Sequence, residues 1–115
     1  MTAAYPERKF LCSELLVVEW SPEWGQTRTM VANLESIWHS GATLLSDLPV
    51  VEGTCLRLNA AGREFRAVVK FCSMDELGYL MELEFGRGSE WTPEAYMPEH
   101  LFDPNTLLGF PTLVS

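Results

Sequence analysis

Short segments of alternating apolar and polar residues, separated by glycine- and proline-bearing turns, fill most of the chain up to residue 85. In the segment 29–35, for example, Met30, Ala32 and Leu34 share one face, and this period of two predicts a half-buried strand. The same pattern, or a short β-branched run, predicts strands at 15–20, 29–35, 42–45, 54–59, 64–71 and 79–85. Six such strands without an intervening helical pattern predict an all-β antiparallel barrel or sandwich, and closure would remove exposed sheet edges.

The character of the chain changes after residue 86. Thr92 is a suitable helix cap and Pro93 suits a first helical position, while Pro98 limits the helix to little more than one turn. The segment 107–114 is apolar, and we expect it to pack back on the barrel or to contact another chain. The predicted organisation is a mobile arm (1–9), a barrel (10–86), and a short helix with an apolar tail (87–115).

Charge and cysteine content narrow the class of protein. The 115 residues carry a formal net charge of −8, which opposes binding to nucleic acid and to anionic membrane surfaces. No apolar stretch is long enough to cross a bilayer, and no signal peptide is recognisable. The three cysteines are odd in number and widely spaced, which argues against disulfides and a zinc site. We therefore expect a cytoplasmic protein without membrane insertion.

The sequence offers few candidate catalytic residues, but several aromatic ones. The two histidines, His39 and His100, lack metal-ligand spacing, and the carboxylates are dispersed along strand faces, so we expect neither a metal site nor an enzyme. Trp38 begins a turn, where it can either plug the core or remain exposed to stack on a ligand or anchor a protein partner. Trp91 and Phe110 are further interaction candidates, and the apolar tail is a possible route to a homo-oligomer.

The order of strands and turns resembles that of a known family. The matching segments are 31–37, 40–44, 53–58, 65–69 and 79–85. This layout resembles the PilZ domain, and the resemblance covers roughly residues 8 to 85. It implies a six-stranded antiparallel barrel, here with a short C-terminal helical segment. Many members of the family bind the bacterial second messenger cyclic di-GMP.

The family's ligand motifs are only partly present in this sequence. One motif has two arginines four residues apart; here Arg8 is followed by Cys12, with Lys9 nearby. The other has Asp or Asn, Ser two residues later and Gly three further on; here those positions are Ser36, Trp38 and Gly41. A guanidinium provides a planar fork that an ammonium lacks, and an indole replaces a small hydroxyl, so the hydrogen-bonding chemistry is degraded.

Two functional hypotheses follow from this resemblance. The first is a degenerate PilZ-like adaptor of the cyclic di-GMP pathway family, which acts by contact with a protein partner after cyclic di-GMP binding has weakened or been lost. The second is a nucleotide sensor in which the arm folds over the turn and Trp38 stacks on a base. The candidate ligand-binding residues are Arg8, Lys9, Ser36, Trp38, His39, Ser40 and Gly41.

Overall fold

The computed structural model describes residues 7–104. Its six strands are β1 (Phe10–Trp20), β2 (Arg28–Trp38), β3 (Gly41–Ser46), β4 (Cys55–Ala60), β5 (Arg63–Asp75) and β6 (Gly78–Phe85). They form a closed antiparallel barrel in the order β1-β2-β3-β6-β5-β4, and β4 pairs again with β1. The predicted all-β fold of six antiparallel strands is therefore confirmed, and of the two architectures left open it is the barrel.

The core lies inside the barrel and receives side chains from every strand, because alternate residues of a strand point to opposite sides of the sheet. Phe65, Phe85 and Tyr96 form an aromatic group in it, with ring centroids 5.6 and 5.8 Å apart. The largest fully buried side chains are Val18, Leu34, Leu44, Leu56, Leu58, Val69, Met81 and Leu83. This is the face that the alternating sequence pattern predicts.

The strand order gives the barrel two distinct ends. We call the end that carries the segments 21–27 and 47–54 and the β5–β6 turn the upper end. The lower end carries the β2–β3 and β4–β5 turns, the chain before β1 and the chain after β6. Because the direction alternates from strand to strand and the number of strands is even, the chain enters β1 and leaves β6 at the same end. Both flanking segments therefore reach the lower end.

The chain after β6 covers the part of β1 that β4 does not pair with. Leu11 and Phe102 exchange two backbone hydrogen bonds of 2.7 Å, and the Ser13 amide donates to the Glu99 carbonyl at 3.1 Å. β4 itself meets β1 only from Val17 to Glu19. These bonds satisfy backbone groups of β1 that would otherwise be an open sheet edge.

Several boundaries differ from the sequence prediction; β5, for example, runs to Asp75, whereas the pattern ended at residue 71. β1 begins at Phe10, five residues before the predicted start at residue 15, because backbone pairing with β2 and the 99–102 segment sets its end. The short helix predicted from Thr92 is not formed. The chain makes a hydrogen-bonded turn there, in which the Ala95 amide donates to Thr92 Oγ1 at 3.2 Å and to its carbonyl at 3.0 Å, and Pro98 has no amide with which to continue it. Residues 7–104 contain no helical element, and none of them could form a membrane-spanning helix.

Candidate functional site

Trp38 lies on the outer face of the barrel, at the lower end of β2. Its neighbour Ile37 belongs to the core, whereas Trp38 is 6% exposed but is not part of the core cluster. Its β3 partner is Gly41, and a Cβ at position 41 would lie 2.9 Å from Trp38 Cζ2 and closer still to the Leu83 carbonyl oxygen. Gly41 thus provides the space in which the indole packs against β3.

The arm residue Lys9 covers the other side of this indole. Its Nζ lies 4.4 Å from the centroid of the Trp38 ring, a cation–π contact. The sequence left open whether Trp38 plugs the core or stays exposed as an anchor. In the structure it is buried outside the core, between the β3 backbone and the arm.

A carboxylate of the chain itself occupies the hydrogen-bond donors of the β2–β3 turn. Glu7 Oε1 accepts a bond from Ser40 Oγ at 2.7 Å and from the Ser40 amide at 3.2 Å. The Ser40 carbonyl accepts the amide of Phe85 at 2.7 Å, which ties the turn to the end of β6. Residues 7–9 of the predicted mobile arm therefore make defined contacts, while residues 1–6 lie outside the described residues.

His39 connects the turn to the segment after β6. Its Nδ1 lies 2.9 Å from the Trp91 carbonyl oxygen, and the Trp91 amide donates to the His39 carbonyl at 2.9 Å. Trp91 is only 2% exposed, donates from Nε1 to the Tyr96 carbonyl at 2.7 Å and packs edge-on against Phe10. In this structure Trp91 closes the lower end and offers almost no surface to a partner.

The remaining predicted residues are divided between several places. Arg8 forms an ion pair of 3.3 Å with Asp103 in the C-terminal segment, so the two cations of the arm have different partners. Ser36 lies opposite Leu11 and Thr43 in the barrel wall, two residues before Trp38. Phe110, the third interaction candidate, lies outside the described residues.

Cys12 shows why a second arginine could not simply be placed in the arm motif. Its side chain packs against the core, and its thiol lies 3.7 Å from the Leu34 carbonyl oxygen. Burial, followed by the charges of Glu14 and Glu35, raises the pKa of the Cys12 thiol to about 12. A guanidinium at position 12 would be larger than the thiol and would have to leave the core-facing place of Cys12, toward the carboxylates of Glu14 and Glu35.

The open space beside Trp38 is small and partly acidic. A cleft of about 160 Å³ is lined by Trp38, Ser40, Lys70, Glu82, Leu83 and Glu84. Sites for small ligands usually enclose about 300–1,000 Å³. Lys70 is already paired with Glu84 at 3.2 Å. The described arrangement therefore disfavours a large, doubly anionic ligand at this turn.

Sequence reasoning did not identify Glu7 as part of the site. No local pattern indicates it, because its partner Ser40 is 33 positions away along the chain. Within residues 7–104, no cluster of three or more His, Cys, Asp or Glu side chains is arranged to hold a metal ion. No family model matches this chain, and neither the curated proteins nor the solved structures contain a significant match.

Proposed function

We propose that this chain is a PilZ-like adaptor domain, non-catalytic and cytoplasmic, which acts by contact with a protein partner and has weakened or lost cyclic di-GMP binding. The observation that supports the proposal best is the Glu7 carboxylate bound to both donors of Ser40. A phosphate-bearing ligand at this turn would have to displace a group of its own charge sign.

The arrangement of the turn supports the resemblance to the PilZ family. Ser36 and Trp38 are two residues apart on β2, and Gly41 follows directly across the hairpin in the β3 position opposite Trp38. The three positions thus have the spacing of the family's ligand motif, but Ser36 and Trp38 do not provide its hydrogen-bonding groups. An indole under a lysine takes the place of a free hydroxyl, and the partner contact is proposed to have replaced the nucleotide.

One contact favours the second candidate function, a nucleotide sensor. Lys9 and Trp38 already lie 4.4 Å apart, as a cation and an aromatic ring would in a site that stacks a base beside a phosphate. Because Glu7 and Lys9 are exposed, the arm could exchange its present contacts for a ligand. In that case Arg8, Lys9 and the 36–41 turn would carry the binding.

Calorimetric titration of the protein with cyclic di-GMP separates the two functions. With both at about 100 µM, even weak binding is detected. For the adaptor we expect no binding heat from the unaltered chain. A triple variant, Glu7→Ala, Ser36→Asp and Trp38→Ser, frees Ser40 and restores the residues of the turn motif beside the one arginine of the arm, so we expect it to gain weak binding. Glu23→Ala, at the upper end, is the control and should behave like the unaltered chain.

For the unaltered chain and for the triple variant, one result would contradict the proposal. Binding by the unaltered chain would favour the sensor. A triple variant that keeps the circular dichroism of the parent but gains no binding would contradict the proposal that Glu7, Ser36 and Trp38 are what weakens cyclic di-GMP binding.

A further inference from the structure

The upper end of the barrel exposes a group of large apolar side chains beside a cleft. Val51 is 78% exposed, and Met74 and Leu77 are each 77% exposed. The cleft between the 47–54 segment and the β5–β6 hairpin has a volume of about 310 Å³ and is lined by Pro49, Val50, Val51, Glu52, Cys72, Met74 and Tyr79. Large exposed apolar groups gathered around a concave surface are typical of interaction sites.

Both walls of this cleft are held in place by internal contacts. In the 47–54 segment, Ser46 Oγ donates to the Leu48 carbonyl at 2.7 Å, Val50 is buried in the core, and the Gly53 amide donates to the Val69 carbonyl at 2.8 Å. On the hairpin side, Gly78 packs so closely on the Ser46 carbonyl that a Cβ would clash. Walls that are ordered before binding reduce the entropy lost when a partner docks.

The rim of the cleft is acidic. Glu52 lines the cleft, and three more exposed carboxylates lie on the elements that form its walls: Asp47 in the 47–54 segment, and Asp75 and Glu76 in the β5–β6 hairpin. No lysine or arginine of the described chain is among the residues that line the cleft. Lys70, two residues before Cys72 on β5, is paired with Glu84 at 3.2 Å. Arg28 and Arg57 line a different hollow, and Arg57 is paired with Glu19 at 3.7 Å.

We propose that this cleft binds a basic amphipathic helix of a protein partner. Such a helix presents apolar side chains on one face, which would pack between Val51, Met74 and Leu77. Its flanking lysines and arginines would meet the carboxylates of the rim, which attract a basic partner and repel acidic ones. The acidic rim also opposes the docking of a second copy of this chain through the same surface.

This inference rests on the proposed adaptor function and names a contact surface for it. The test uses the ¹⁵N-labelled full chain and a synthetic helix of leucine and lysine, with leucine spaced to form one apolar face. We expect the peptide to shift the amide signals of Val51, Met74 and Leu77 and to leave those of Trp38 and Ser40 in place. Raising the salt concentration should weaken binding, because the rim contacts are exposed and screened.

Two variants test the apolar and the acidic contributions separately. Met74→Ser with Leu77→Ser, and Glu52→Lys with Glu76→Lys, should each weaken peptide binding by about tenfold or more, as the loss of central anchors does at other interfaces. All four side chains are exposed, so the fold should be retained. Glu90→Lys with Glu94→Lys, two exposed carboxylates of the segment after β6, is the control for the same change of charge and should have little effect.

Several results would overturn the inference. Equal affinity for a scrambled peptide of the same composition would show that charge alone drives binding, and shifts confined to the lower end would place the surface elsewhere. Concentration-dependent shifts of Met74 and Leu77 without peptide would assign the cleft to a second copy. If the peptide fails while the cyclic di-GMP titration gives the expected results, the adaptor proposal stands and only this surface is wrong.

Discussion

The two ends of the barrel differ in how far the chain covers their large apolar side chains. At the lower end, Trp91 is 2% exposed beneath Phe10, and Trp38 is covered by Lys9. At the upper end, Trp24 is 84% exposed, and Met74 and Leu77 project from the β5–β6 hairpin. At the lower end the chain itself covers these two tryptophans, while Met97 and Phe102 are exposed there; at the upper end Trp24 and the hairpin side chains face the solvent.

The difference follows from the topology. Six strands that alternate in direction place both the chain before β1 and the chain after β6 at the lower end. Those segments bring Glu7 to Ser40 and Trp91 to His39. Within residues 7–104, no flanking segment reaches the upper end. Among the described residues, the flanking segments therefore cover the β2–β3 turn and leave the upper end uncovered.

The largest expected difference between the ends concerns their tryptophans. Replacing Trp91 with alanine removes a buried indole and its bond to the Tyr96 carbonyl, and should lower the free energy of unfolding by about 3–5 kcal/mol. Replacing the exposed Trp24 with alanine should change it by less than about 0.5 kcal/mol. Urea denaturation followed by circular dichroism measures both. Similar losses in the two variants would break the distinction between a covered and an exposed tryptophan.

A smaller effect is expected at the glycine beneath Trp38. In Gly41→Ala the new methyl group would press on the Leu83 carbonyl and the Trp38 ring, and we expect a loss of about 1–3 kcal/mol. Gly86→Ala is the matched control, because a Cβ at position 86 would lie 3.6 Å from its nearest neighbour, the Arg66 carbonyl oxygen, which is an ordinary contact distance. The control should be neutral or slightly stabilising in the same denaturation experiment. A Gly41→Ala variant as stable as the control would mean that the indole does not pack on β3.

The smallest effect is expected from the arm. Glu7→Ala removes the acceptor of two Ser40 hydrogen bonds at an exposed site, and should cost about 0.5–1.5 kcal/mol. It should also speed amide hydrogen exchange at Ser40, which a change in global stability alone would not do selectively. Glu23→Ala at the upper end should leave both quantities nearly unchanged. Unaltered exchange at Ser40 in Glu7→Ala would show that the arm does not cover the turn.

Local sequence patterns predicted the fold better than they predicted the site. Alternation such as that of Met30, Ala32 and Leu34 identified β2, but it ended the strand at residue 35, and the structure continues it to Trp38. The turn expected over 36–41 is accordingly reduced to residues 39 and 40 between β2 and β3. Strand ends depend on pairing partners, here Gly41 and Ala42 of β3, which no local pattern specifies.

The sequence by itself determined which faces of the strands are apolar, where glycine permits a turn, and therefore that the chain forms an antiparallel all-β fold with its core on the apolar faces. These properties depend on residues within a few positions of one another. Only the tertiary structure decided that Glu7 binds Ser40, that Trp91 closes the lower end, and that Val51 meets the Met74 hairpin across an acidic cleft. Those contacts join residues far apart in the chain, and it is the closure of the barrel that brings them together.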